Sequence, residues 1–173
     1  MQQQTQTLEE LFASLETLPS APEASLPSAS SFVADGRISD PAQALRFIMA
    51  GNATVTLVSK KTESRFTYRI RASEDGNCHF VALLNGSDNE SSYAYFGYVR
   101  RGVFFYGGQK AKVTEDRPSV RGFKWAFEQF SRGIMPDSLE VWHEGRCGRC
   151  ARKLTVPSSI ASGFGPECEG RMM

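Results

Sequence analysis

The chain reads as an α+β protein: an antiparallel β-sheet packed by two helices, followed by a small cysteine-bearing module. Between residues 52 and 114, short β-branched and aromatic runs alternate with Gly, Asn, Asp and Ser clusters. The intervals are too short for crossover helices, which favours a meander over βα units. Two stretches flanking this block repeat apolar residues at helical spacing, each behind a proline. Three cysteines and a histidine crowd residues 143–168, which sets that segment apart.

In chain order, Leu8, Leu11, Phe12 and Leu15 predict an amphipathic helix over 8–18 that stops at Pro19. Residues 19–31 are a Pro/Ser/Ala linker that cannot pack a core. Residues 1–31 therefore form a flexible arm. Its helix either docks weakly on its own domain or lays Leu8, Leu11, Phe12 and Leu15 into a partner's groove.

The body is expected over residues 32–138. Asp40 caps a helix that starts at Pro41, turns Leu45 and Ile48–Met49 inward and stops at Gly51. Strands are predicted at 53–59, 65–71, 78–84, 92–99 and 103–106, with a further one at 110–114. Their turns fall at 61–64, 74–77, 85–89 and 100–102. After Pro118, Val120, Phe123, Phe127 and Phe130 mark one face of a helix over 119–132. Its phenylalanines are expected to cover one face of the sheet. A final strand near 139–142 opens the module at 139–173.

Twenty Lys and Arg against nineteen Asp and Glu give the 173-residue chain a net charge of +1, neither histone-like nor acidic. The charge is blocky, however. Residues 1–40 hold six acids and one base, leaving +6 on the remainder. A basic body behind an acidic arm suits anionic partners. Four cysteines are too sparse for a disulfide scaffold. No apolar run is long enough to span a bilayer, and the Gln-rich start lacks a signal core. A reduced, cytoplasmic compartment is expected, with no membrane partner.

Cys147-Gly-Arg-Cys150 has the spacing of a zinc knuckle, with Gly148 letting the backbone turn its amides toward sulfur. Lys153–Val156 suggests a hairpin arm. Pro166 is placed to open a terminal helix with Cys168 in its first turn. Knuckle, hairpin and ligand-bearing helix describe a treble-clef-like finger holding Zn2+ through Cys147, Cys150 and Cys168. The sequence offers no Cys or His after Cys168, so His143 is the preferred fourth ligand. His79, Cys78, Glu167 and Glu169 remain alternatives. An open fourth position would instead carry water beside Glu144 as a base, the arrangement of a zinc-dependent hydrolase. A thiolate-rich ligand set damps Lewis acidity, and the segment lacks a paired His-Glu helix motif. Zinc is therefore read as structural.

The residues Trp142-His-Glu-Gly-Arg-Cys147-Gly-Arg-Cys150, with Lys153-Leu-Thr-Val-Pro157, Ser159-Ile160 and Gly163-Phe-Gly-Pro-Glu-Cys168, resemble an uncharacterised zinc-finger family, a domain of unknown function. That family occurs mainly in bacteriophage, prophage and other mobile-element proteins. Residues 52–71 also look like the upstream region of its longer phage members. The resemblance implies a phage origin, the cytoplasm of a bacterial host and a closed structural zinc. It implies no activity.

Two groups of cations point to nucleic acid. Arg146, Arg149, Arg152 and Lys153 flank the knuckle. Strand alternation puts Arg65, Thr67, Arg69 and Arg71 on one face, with Lys60 and Lys61 in the adjoining turn. Tyr93, Tyr95 and Tyr98 add aromatic rings. Cations that track phosphate and rings that stack on bases are the tools of single-strand binders. The plainer reading is a half-exposed strand with solvated flanks. The competing function is a protein–protein module that modulates a host or defence complex. With two histidines, no Ser/His/Asp set and no phosphate loop, the chain gives no footing for an enzyme or a small-molecule substrate.

Overall fold

The computed structural model describes residues 36–171. The predicted helix over 8–18, its stripe Leu8, Leu11, Phe12 and Leu15, and the linker lie outside the described residues.

Seven strands form one antiparallel sheet: β1 (Arg37–Ile38), β2 (Asn52–Ser59), β3 (Arg65–Ala72), β4 (Cys78–Leu84), β5 (Tyr93–Arg100), β6 (Val103–Tyr106) and β7 (Leu139–His143). Their order is β1-β7-β2-β3-β4-β5-β6. Strands β2 to β6 are the expected meander, closed at β5–β6 by Arg101 and Gly102, both at positive φ (50° and 73°). This is the two-residue hairpin turn whose twist matches the strands. The strand expected at 110–114 is absent. A 3-10 turn at Gly108–Lys110 occupies its start, and Lys112 N–H bonds sideways to the Tyr95 carbonyl (2.7 Å).

Strand β7, which opens the terminal module, is itself part of the sheet. It runs between β1 and β2, with Thr56 opposite Trp142 and Val55 opposite His143. Residues 139–143 thus belong to the sheet interior, and the chain leaves the sheet after His143.

Helix α1 (Pro41–Ile48) starts as predicted: the Asp40 carboxylate accepts from Gln43 N–H at 2.7 Å and Pro41 sits in the first turn. Ala44, Phe47 and Ile48 are its buried residues, while Leu45 and Met49 are half-buried against the same core. Helix α2 (Pro118–Ser131) buries Val120, Phe123, Phe127 and Phe130, the face the sequence predicts, together with Ala126.

Both helices pack on one side of the sheet, against Val55, Tyr68, Ile70, Val81, Phe96 and Val99. Tyr68 stands at the centre, its ring 5.0 Å from Phe123 and 5.9 Å from Phe96. Its buried hydroxyl donates to the Ser119 carbonyl at 2.6 Å, and burial pushes its ionisation far upward. Such ring pairs add about 0.5–1.5 kcal/mol each beyond area burial.

A β-bulge in β5 decides what the opposite side presents. Val81 pairs with Gly97 but Ala82 pairs with Tyr95, leaving Phe96 as the extra residue. Strict alternation would send Tyr98 to the face opposite Tyr93 and Tyr95. The bulge puts Phe96 and Val99 in the core and returns Tyr98 to the side of Tyr93 and Tyr95.

Candidate functional site

Beyond β7 the chain forms a knuckle. Cys147 N–H donates to Arg152 carbonyl and Ala151 N–H to Cys147 carbonyl, both at 2.9 Å, while Arg146 and Lys153 pair as an antiparallel bridge. Ala151 adopts φ 59°, which lets the chain double back after Cys150. The expected hairpin arm amounts to this one bridge. Helix α3 (Pro157–Ser162) follows, and Gly163 closes it at φ 79°. Helix α4 (Pro166–Gly170) opens at Pro166 as expected, with Cys168 in its first turn.

These turns bring three thiols together. The sulfurs of Cys147, Cys150 and Cys168 lie within 4.8 Å of one another. Burial pushes the Cys147 thiol up, but backbone hydrogen bonds from Gly165, Cys150 and Arg149 outweigh it and hold the group below its ordinary value. The knuckle amides expected to face sulfur therefore do so. Cys168 is pushed up to about 11, first by burial and then by the two neighbouring thiols. Three sulfurs this close cannot all carry charge unless a cation offsets their repulsion. The donor set fits a soft, four-coordinate metal ion.

His143 is placed elsewhere. Gly145 N–H donates to its Nδ1 at 3.0 Å, so Nε2 carries the proton and donates to the Ile160 carbonyl at 2.7 Å. The ring is buried and lies 5.2 Å from that of Phe47. Both nitrogens are thus engaged away from the sulfurs, and the imidazole ties the strand end to α3. His79, the alternative, faces α1, with Nε2 at 2.9 Å from the Met49 carbonyl and its ionisation lowered by burial. Cys78 sits on β4 outside the cluster. Glu167 lines the cleft beside the thiols with Arg152 and Lys153, and Glu169 pairs with Arg46 at 3.6 Å.

Phe47 seats the knuckle on the body. A Cβ at Gly148 would come within 2.8 Å of the Phe47 ring, and one at Gly163 within 2.7 Å. Gly148 is therefore required by this close approach, and not only by the turn that aims amides at sulfur. Phe164 packs beside Phe47 at 5.8 Å with its ring tilted by 59°, and the Arg46 guanidinium lies 4.9 Å over the Phe164 ring. Asn52 N–H to Gly148 carbonyl (2.7 Å) and Gln43 Nε2 to Ala161 carbonyl (2.6 Å) complete the joint.

The nine cations singled out from the sequence do not form one patch. Arg69, Arg71 and Arg146 converge on a cleft of about 420 Å3, which Glu90 and Glu144 also line. Glu144, considered above as a base, thus stands with Arg146 (3.9 Å) and not at the thiols. Arg69 is committed locally: its guanidinium lies 3.7 Å over Tyr93 and donates to the carbonyls of Asn89 (2.9 Å) and Glu90. Arg71 donates to Asn52 Oδ1, and burial followed by the nearby Arg69 charge lowers its ionisation. Lys60, Lys61 and Arg65 lie at the far end of the β2–β3 hairpin, where Glu140 is shared between Lys60 (3.8 Å) and Arg37 (3.4 Å). Arg152 and Lys153 flank the thiols, and Arg149 is exposed on the knuckle.

Alternation and the charge pattern missed Phe80 and Phe105, which stand exposed on the same side as the arginines of β3. Their signal was present in the sequence as outward positions of β4 and β6, but only the tertiary structure shows that no helix among the described residues covers them.

Among the described residues, no helix is long and apolar enough to cross a membrane. Residues 139–173 match a family model described as a family of unknown function (DUF6011). The match takes in β7 as well as the finger. No curated protein and no solved structure matches the chain.

Proposed function

We propose that the chain binds nucleic acid across the side of its sheet opposite α1 and α2, and that a zinc ion held by Cys147, Cys150 and Cys168 stiffens a treble-clef-like finger completing that surface. The convergence of Arg69 and Arg71, from the sheet, with Arg146, from the finger, on a single cleft carries this reading. Guanidinium groups brought together from two parts of the chain repel one another, and a phosphate between them relieves that repulsion. Arg69 serves here through its charge and by holding the β4–β5 loop. Arg71 and Arg146 supply the outward donors.

The metal's part is mechanical. When bound, zinc would crosslink the knuckle, through Cys147 and Cys150, to α4, through Cys168, and the thiolate-rich donor set favours structure over Lewis-acid chemistry. The resemblance of the cysteine motif to phage and prophage proteins supports an accessory role in the cytoplasm of a bacterial host.

Titration with labelled single-stranded and duplex oligonucleotides over a salt series tests the reading. Affinity should fall steeply with salt, and Arg146→Ala should reduce the salt slope by about 0.7–0.9 for one lost phosphate contact. Absence of binding at low salt would sink it.

One observation favours a second reading, a protein–protein module. An apolar cleft of about 380 Å3, lined by Leu57, Phe66, Pro118, Gly122, Trp125 and Leu139, opens beside the exposed Trp125 ring. Trp125→Ala should then abolish capture of the partner without affecting oligonucleotide binding.

A further inference from the structure

On the side of the sheet that no described helix covers, strand register lines up one residue from each of five strands. Asn52 pairs with Arg71, Arg71 with Phe80, Phe80 with Tyr98, and Tyr98 with Phe105. At about 4.8 Å per strand, the three rings and the guanidinium beside them extend over roughly 15 Å. Phe80 is 45% and Phe105 44% exposed, large apolar surfaces that the fold does not use for its own core. Tyr98 and Phe105 stack at 5.4 Å with 20° between planes, and Tyr95 meets Phe80 edge-on at 6.2 Å.

Backbone features far from ordinary strand geometry build this row. The bulge at Phe96 returns Tyr98 to it. Gly97 is required because a Cβ there would come within 2.5 Å of the Phe105 carbonyl. At Gly107 a Cβ would come within 2.7 Å of the Tyr95 ring. Phe80, Tyr95 and Tyr98 then line an open cleft of about 700 Å3, with Arg100 and Lys110 on its rim together with Asp75.

We propose that this row is a base-stacking platform that makes the protein selective for single-stranded nucleic acid: unpaired bases lie on Phe80, Tyr98 and Phe105 while the backbone follows Arg71, Arg100 and Lys110. The proposal rests on the nucleic-acid reading above and adds to it the strand form recognised and the residues that recognise it. A duplex keeps its base faces stacked inside and offers these rings nothing, whereas each unpaired base offers a π-face. Charge complementarity selects the occupant, because the cations stand at the margins of the aromatic row where a backbone would run. Asp75 is the one carboxylate in the cleft lining. Hydrogen bonds from Ser73 and then Asn77 hold it ionised and lower its pKa to about 2, which suits it to accept from an exocyclic amine of a base.

The test compares the intact protein with Phe80→Ala, Tyr98→Ala and Tyr98→Phe, using a fluorescent single strand of about twelve nucleotides and a hairpin duplex of the same composition. Wild type should prefer the single strand. Each alanine variant should weaken single-strand binding about tenfold or more and leave duplex binding unchanged, and Tyr98→Phe should restore affinity because the ring alone stacks. Both positions face outward, and unchanged thermal melting confirms that each of the three variants is folded. Equal or tighter duplex binding overturns the platform. Single-strand binding that weakens with Arg146→Ala but ignores both alanine variants also overturns it, while leaving the broader reading in place. If no oligonucleotide binds, both fall together.

Discussion

Residues 37–143 bury a continuous aromatic core built on Tyr68, Phe96, Phe123, Phe127 and Phe130, whereas residues 144–171 bury only Cys147, Leu154 and Phe164 of their apolar side chains. Even Phe164 packs on a ring lent by α1. The sheet region gains its stability from area removed from water, at about 25 cal/mol per Å2 of apolar surface. The finger has too little such area to offset the entropy of ordering its chain, and it is laid out as turns around three sulfurs. The contrast teaches that the two regions should fail differently, and Phe47 is where they meet.

Removing a sulfur gives the largest separation between them. Cys147→Ser or Cys168→Ser should abolish metal retention, measured as metal per chain by elemental analysis. The finger amides should lose protection from hydrogen exchange while those of β2–β5 keep theirs. Structural zinc contributes about 10–16 kcal/mol of apparent binding energy in small modules, so partial loss is not expected. Protein purified without chelator that carries no metal would break the comparison outright.

Phe47→Ala attacks the joint. The side chain is buried and touches Phe164, His143, Gly148 and Gly163, so its loss should cost about 3–5 kcal/mol in denaturant titration. Both regions should be weakened together. A variant in which only the sheet loses stability would show the finger to be docked by something else.

His143→Gln is the smallest and the most discriminating. Loss of the imidazole removes bonds to Gly145 N–H and Ile160 carbonyl and should cost about 1–3 kcal/mol, with one metal still bound per chain. If stoichiometric metal binding is lost while the sheet melts normally, His143 is a ligand after all and the three-sulfur cluster is incomplete.

Local rules already carried much of the architecture. Asp40 and Pro41 start α1, the phenylalanines of α2 face the sheet, and turn residues separate β2 to β6, because capping, periodicity and left-handed turns act over a few residues. The Cys147–Cys150 pair and Cys168 were legible for the same reason. The spacing of the pair and the proline that starts α4 are local facts. Where the His143 ring points was not legible, because sequence proximity to the knuckle says nothing about ring direction, and Gly145 and Ile160 were not separable from sulfur as its partners by spacing. That residues 139–143 join the sheet was not legible in the same way, because β7 pairs with β1 and β2, eighty or more residues distant in the chain.

The sequence by itself determined the α+β class, the helix faces and the three thiols, all consequences of short-range chemistry. Tertiary structure alone decided that α1 and α2 share one side of the sheet, that a bulge brings Tyr98 beside Phe80 and Phe105, and that Gly148 and Gly163 receive Phe47. Each of those depends on which strands become neighbours and on how closely two backbones approach, quantities that no window of sequence contains.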